Sequence, residues 1–250
     1  MPVEHVTPAA DGADAGASGT APAAGGPERP AAVLWDFDGT LVASEDYWIA
    51  EEFALVESFG GTWDLTRAHA LVGNELLTSG RFIAEHGPVP LSAAETVDRL
   101  MAGVVRRLEA AVPWRPGVAR LLAEVAAAGI PQALVTMSYR SVVRPVLDAM
   151  AAAGLPAFAV LATGEDVQHG KPHPEAYRRA MTALDVSPST CVAIEDSRTG
   201  ARSAAAAGAA VVVTPNAGDV AAEAGWWVLP DLSAVTLADL SRHRAGDRAS

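Results

Sequence analysis

Apolar residues recur in short, nearly unbroken runs at residues 31–35, 130–135, 158–161, 191–194 and 209–213, each closed by polar or small residues. A run of that length with no polar alternate position predicts a strand buried on both faces. Between the later runs the spacing changes to a helical period. Val118, Leu121, Leu122 and Val125 precede Gly129; Val142, Val146, Leu147 and Met150 follow; Tyr177, Met181 and Leu184 come after Pro174. An Ala-rich helix follows Gly200 and ends near Gly208. Strand and helix therefore alternate, which predicts an α/β fold: a Rossmann-like parallel sheet with helices on both faces and functional groups at the carboxyl ends of its strands.

The first run breaks this rhythm, because roughly 70 residues separate it from the next helix of the alternation, too many for an ordinary connection. That segment has helical periodicity of its own. Ile49, Phe53, Val56 and Phe59 share one helix face, and Ser92 with Glu95 makes a capping box ahead of Val97, Leu100, Met101, Val104, Val105 and Leu108. Pro113 and Pro116, around Trp114 and Arg115, stiffen the return. The expected organisation is a Rossmann-like core at 31–44 and 116–240 with an all-helical cap inserted at 45–115. Residues 1–30, mostly Ala, Gly, Pro, Asp, Ser and Thr, read as a disordered leader. Residues 241–250, with Arg242, Arg244, Asp247 and Arg248 and no periodicity, read as a loose tail.

With 50% hydrophobic and 19% charged residues in a chain of 250, whole-chain disorder is excluded. Lys plus Arg number 18 against 30 Asp plus Glu, a net charge of −12, which argues against nucleic acid or an anionic membrane as the main partner. The lone Cys191 rules out an internal disulfide and a paired zinc motif, and it reads as a small buried strand residue. No apolar run approaches the ~18 residues of a membrane span, and the N-terminus lacks the basic start and apolar stretch of a secretory signal. The expectation is a cytoplasmic protein whose partner is a small molecule; a monomer and a homodimer are equally compatible with the sequence.

Chemistry concentrates where the runs end. After the first come Asp36, Phe37, Asp38, Gly39 and Thr40, two carboxylates at i and i+2 on one strand face. So close a pair calls for a metal ion, a shared proton or donors, or else it is an Asp/Gly turn. The second run ends in Thr136, Met137 and Ser138 before a helix, a phosphate seat or a plain cap. Lys171, between Gly170 and Pro172, is the one lysine among 18 basic residues, which suggests that a compact point charge is needed there. The fourth run ends in Glu195, Asp196 and Ser197, with Gly200 beyond. These acids either cap the next helix or add to Asp36 and Asp38 the oxygen ligands that Mg²⁺ prefers.

In their order and strand-end placement, Asp36-Phe37-Asp38-Gly39-Thr40, Thr136, Gly170-Lys171-Pro172 and Glu195-Asp196-Ser197 with Gly200 resemble the haloacid dehalogenase superfamily. The helical insert is similar to the cap of its β-phosphoglucomutase-like and phosphoglycolate-phosphatase-like members. The resemblance implies a Mg²⁺-dependent phosphatase for a small phosphate monoester such as a sugar phosphate. It implies that Asp36 is the nucleophile that becomes an aspartyl phosphate, and that Asp38 protonates the leaving oxygen and then activates water. It assigns Thr136, the Met137 backbone N–H and Lys171 to the phosphoryl oxygens. The metal falls to the Asp36 carboxylate, the Asp38 carbonyl, Asp196, and Glu195 directly or through water. Asp38 sets the chain apart from true dehalogenases, which lack it. The absence of a cap lysine excludes phosphonate cleavage through a Schiff base. β-Phosphoglucomutases carry a histidine where Trp48 stands, which disfavours a mutase; a non-turnover phospho-aspartate module is the reading from another class. Trp48, Arg67, His69, Asn74 and Arg81 are the cap residues able to face the site, while His169 and His173 read as surface groups flanking the lysine.

Overall fold

The computed structural model describes residues 28–72, 75–216, 220, 221 and 223–244. Six strands, β1 (Ala32–Trp35), β2 (Gln132–Val135), β3 (Val160–Ala162), β4 (Cys191–Glu195), β5 (Ala210–Val213) and β6 (Trp226–Val228), pair in parallel in the order β3-β2-β1-β4-β5-β6. Because side chains alternate across a strand, Val33, Trp35, Leu134, Val192, Ile194 and Val212 enter one buried cluster and Leu34, Ala133, Val135, Ala193, Val211 and Val213 the other. Helices α5 (Val118–Ala127), α6 (Arg140–Ala152) and α9 (Leu237–Arg244) cover the first face; α7 (Glu175–Ala183) and α8 (Arg198–Ala207) cover the second. The sheet is thus covered on both sides, as the unbroken apolar runs require. Each large side chain withdrawn from water contributes roughly 1.5–3 kcal/mol. Trp35 is fully buried and its indole N–H donates to Gln132 Oε1 at 2.9 Å, while Gln132 Nε2 donates to the Leu122 carbonyl at 3.0 Å. This polar link inside the core joins β1, β2 and α5 without leaving a donor unmade.

Between β1 and α5 lie four helices, α1 (Glu45–Ser58), α2 (Leu65–His69), α3 (Leu76–His86) and α4 (Ala93–Ala110). They share a buried cluster of their own, with Leu55, Val56, Trp63, Ile83 and Leu100 at its centre. The capping box at the start of α4 forms as the sequence indicates: Glu95 N donates to Ser92 Oγ and Ser92 N to Glu95 Oε2. α4 also carries Val104 and Leu108 into the core cluster, and Glu51 on α1 binds Arg107 on α4 at 2.6 Å.

Two expectations need correction. The tail expected from Ser241 is helical as far as Arg244, with Ser241 and His243 buried and His243 Nε2 donating to the Val211 carbonyl at 2.8 Å. Its sequence signal is a Thr-x-x-Asp box, in which Thr236 N and Oγ1 donate to Asp239 Oδ2 and Asp239 N donates to Thr236 Oγ1. Residues 1–27 of the expected leader, like 245–250 of the tail, lie outside the described residues, but Pro30 is buried and the Glu28 carbonyl accepts from Arg244. Beyond the five apolar runs, the three residues of β6 extend the sheet past β5.

In this strand order the chain winds outward in opposite directions from β1, so a crevice opens at the carboxyl ends of β1 and β4. The acidic motifs follow those two ends.

Candidate active site

The turn after β1 folds on itself, with Leu41 N donating to the Phe37 carbonyl at 2.9 Å and Gly39 N to the Val42 carbonyl at 2.7 Å. It leaves Asp36 in the floor of the crevice, 6% exposed. Gly39 has φ +82°, and a Cβ there would lie 1.9 Å from Asp196 Oδ2; a Cβ on Gly200 would lie 2.0 Å from Glu195 Oε2. Both glycines are therefore required for the acids of β1 and β4 to come together.

Lys171 closes the constellation. Its Nζ donates to Asp36 Oδ1 at 2.7 Å, to Glu195 Oε1 at 2.6 Å and to the Val135 carbonyl at 2.9 Å, which uses all three ammonium protons. Tyr177 OH donates to the same Glu195 oxygen at 2.5 Å. Burial pulls the Lys171 ammonium toward deprotonation, but the Asp36 and Glu195 carboxylates outweigh it and hold its pKa above the ordinary lysine value. Burial first, and Asp36 next, push the Glu195 carboxyl up, and the same two causes raise Asp196.

Asp36 Oδ2 and Glu195 Oε2 are buried with no hydrogen-bond partner among the described residues. With Asp196 they form a group of three carboxylates whose oxygens lie within 4.8 Å of one another. Hard anionic oxygens, two of them unpartnered, fit Mg²⁺, which takes one or two carboxylates and leaves room for water and phosphate. Asp196 is not the cap of the following helix: that place belongs to Ser197, whose Oγ accepts from Gly200 N at 3.1 Å.

Asp38 sits beside this group in a different environment. Its Oδ1 accepts from Ser44 Oγ at 2.5 Å and from Trp48 Nε1 at 3.1 Å, and its Oδ2 accepts from Ser138 Oγ. Burial raises its pKa, against the lowering effect of these donors and with a smaller push from Asp36. Ser44 occupies the N-cap of α1, yet its hydroxyl does not cap the helix because it is committed to Asp38. Thr136 is buried at the end of β2 and accepts from Ser138 N at 2.9 Å; Met137 Sδ accepts from Lys171 N at 3.4 Å. One cavity is lined by Asp36, Asp38, Thr136, Met137, Lys171 and Asp196.

Of the cap candidates, Trp48 reaches the site. Arg67 lies over Trp63 and pairs with Asp64, His69 is exposed, Arg81 is exposed and donates to the Leu77 carbonyl, and Asn74 lies outside the described residues. His169 and His173 are exposed beside Glu175, whose carboxylate accepts from Gln168 N and His169 N and so fixes the lysine loop. Cys191 is buried, and burial raises its thiol pKa. Sequence reasoning did not single out Ser44, Tyr177, Glu45, Glu52 or Ser79. The first two had a readable signal: a hydroxyl placed in an apolar helix face or at a helix start must find a partner.

Glu52 gives a prediction independent of turnover. It is 5% exposed, its Oε2 accepts from Trp63 Nε1 at 3.1 Å, and burial, partly offset by that bond, raises its pKa from 4.5 to about 7. The folded state therefore holds its proton more tightly than the unfolded chain. Stability at this position falls as pH rises from 4.5 to 7 and is level above that. Glu52→Gln removes the slope and is expected to be more stable than the wild type at pH 8 by about 3 kcal/mol, with no difference at pH 4. Urea unfolding at the two pH values checks this, and an equal or lower stability at pH 8 contradicts it.

The haloacid dehalogenase-like hydrolase family model matches residues 30–208. Protein CbbY of Rhodobacter capsulatus is 34% identical over 233 residues, which span 81% of this chain and 94% of that protein. Hexitol phosphatase A of Escherichia coli K12 is 34% identical over 190 residues, 72% of this chain and 80% of its own. The crystal structure of CbbY from Rhodobacter sphaeroides in complex with phosphate superimposes with a TM-score of 0.74 at 31% identity, covering 84% of this chain and 99% of that one. With the matched model spanning residues 30–208, well over half of its length, the chain belongs to the haloacid dehalogenase-like hydrolases.

Proposed function

We propose that this enzyme is a Mg²⁺-dependent phosphatase of the cytoplasm that hydrolyses a small phosphate monoester, a sugar phosphate or a close relative, through an aspartyl phosphate on Asp36. The observation that carries the reading is Lys171 Nζ bridging Asp36 and Glu195 while Asp36 Oδ2 stays buried and unpartnered beside Asp196. A carboxylate held on one oxygen by an ammonium and bare on the other is oriented for attack through, or ligation by, the bare one.

In the first step an Asp36 oxygen bonds to phosphorus, the bond from phosphorus to the ester oxygen breaks, and Asp38 passes its proton to the departing alkoxide. The burial that raises the Asp38 pKa favours the protonated form this step uses. In the second step the Asp38 carboxylate takes a proton from water as that water attacks phosphorus, the phosphorus bond to Asp36 breaks, and inorganic phosphate leaves. Thr136 and the Met137 N–H hold the phosphoryl oxygens through both steps, and Lys171, whose three protons stay on Asp36, Glu195 and the Val135 carbonyl, offsets their charge at close range. Asp36, the Asp38 carbonyl and Asp196, with Glu195 alongside, would hold Mg²⁺, which would supply the positive charge that lets an anionic ester enter so acidic a site. Trp48 supports hydrolysis over intramolecular phosphate transfer: its indole N–H only donates, and it already donates to Asp38, so it cannot relay a proton as histidine does.

The test is phosphate release from a panel of sugar, polyol and glycolate phosphates across a Mg²⁺ titration. Turnover is expected to require Mg²⁺, and Asp196→Ala is expected to raise the half-saturating concentration by about tenfold or more. Release without Mg²⁺ refutes the metal dependence, and an unchanged titration in the variant removes Asp196 from the metal set.

A further inference from the structure

The cavity above Asp36 has two chemically different ends. Its floor holds the single lysine, fully engaged with Asp36, Glu195 and the Val135 carbonyl. Its cap wall carries Glu45 and Glu52, with Ser79 from α3 and apolar surface from Ile49, Leu71 and Leu100. Among the described residues, no arginine, histidine or second lysine lines it. Glu45, Trp48 and Glu52 stand at i, i+3 and i+7 and so share one stripe of α1. Trp48 touches Asp38, which places Glu52 about one helical turn, ~5 Å along the axis, beyond the acid/base group. A chain of a few carbons leaving from the phosphorus therefore comes alongside Glu52. Glu45 Oε2 accepts from Asn216 Nδ2 at 2.9 Å, but its Oε1 is buried with no partner, an acceptor that awaits a donor. His69, exposed on α2, acts on Glu45 from outside the lining.

We propose that Glu45 and Glu52 make the cap wall a charge filter, one that accepts phosphomonoesters with an uncharged, hydroxyl-rich remainder and turns away those with a second anionic group. This rests on the phosphatase reading above and narrows it. Above pH 7, where Glu52 too has given up its proton, hydroxyl donors satisfy the two carboxylates, whereas a distal phosphate or carboxylate meets two like charges with no cation in the lining to offset them.

The matched probes are glucitol 6-phosphate and gluconate 6-phosphate, which differ only in an alcohol or a carboxylate at the far carbon. At pH 8.5, where Glu52 is ionised, the wild type is expected to favour the alcohol by about tenfold or more in kcat/KM, mainly through KM, and Glu52→Gln and Glu45→Gln/Glu52→Gln are expected to shrink that ratio stepwise. Calorimetric binding of the same two compounds to Asp36→Asn with Mg²⁺ reads the ratio without turnover. Equal use or equal binding of the two compounds, binding of neither, or a ratio unmoved in the double variant overturns the filter. Should the double variant fail to fold, Glu52→Gln, which keeps the Glu45 bond to Asn216, decides alone. Phosphate released from both compounds alike sinks the filter and spares the phosphatase. Discrimination in binding with no phosphate released from any monoester does the reverse.

Discussion

Lys171→Met is expected to lower the stability of the protein by about 3–5 kcal/mol as well as to abolish turnover. The ammonium is almost wholly buried, with 6% of its side chain exposed, between carboxylates that are 9% and 1% exposed. Methionine fills similar space but leaves Asp36 Oδ1 and the Val135 carbonyl without their donor and Glu195 Oε1 with Tyr177 alone. Two buried negative charges then face each other, and the chain relieves them by taking up protons. The loss should therefore be largest at high pH and shrink as pH falls, because protonation of Glu195, whose carboxyl burial already pushes up to about 7, removes charge that the lysine balanced. Urea unfolding at pH 5.5 and pH 8.5 measures both the size and the slope; a loss below about 1 kcal/mol at pH 8.5 contradicts the buried pairing. Lys171→Arg should not restore the wild type. The three acceptors, from β1, β2 and β4, converge on one nitrogen, and a planar guanidinium cannot place three donors around a point. The same geometry explains why one lysine persists in a chain whose other basic residues are all arginine.

That lysine shows which parts of the molecule the sequence could reveal. Asp36, Asp38, Thr136, Glu195 and Asp196 follow apolar runs and Lys171 stands between Gly170 and Pro172, so local pattern and a parallel sheet suffice to bring them to one edge. The core strands were legible for the same reason, since burial on both faces leaves no polar position to confuse the period. Glu45 and Glu52 were not, because their roles depend on how α1 lies against the crevice, which helix periodicity does not encode, and for Ser44 and Tyr177 the sequence signals that a partner is needed without saying which. α9 was missed because its exposed face is rich in Arg and its capping box uses Asp in place of Glu. Arg67, His69 and Arg81 were drawn into the candidate list by residue type alone, and α2 and α3 turn them to solvent or to near neighbours.

Asp36→Asn is expected to reduce turnover by at least about 10⁴-fold while changing stability by no more than about 1 kcal/mol. The two effects separate because the Asp36 charge is an electrostatic burden on the folded state. It is the second cause, after burial, that raises both Glu195 and Asp196. Asparagine keeps an oxygen for Lys171 and removes that repulsion, and the loss of one of the ammonium's two anionic partners works against the gain. The amide cannot attack phosphorus, so the bound ester should persist unhydrolysed, and saturation by substrate should appear as a rise in melting temperature with no phosphate released. This asymmetry distinguishes Asp36 from Lys171, its direct partner: one substitution removes a charge whose repulsion of Glu195 and Asp196 offsets its attraction to the lysine, the other a charge the fold needs. If Asp36→Asn instead lost several kcal/mol, or still released phosphate at a tenth of the wild-type rate, Asp36 would be a structural anchor of the crevice and the nucleophile would have to be sought elsewhere.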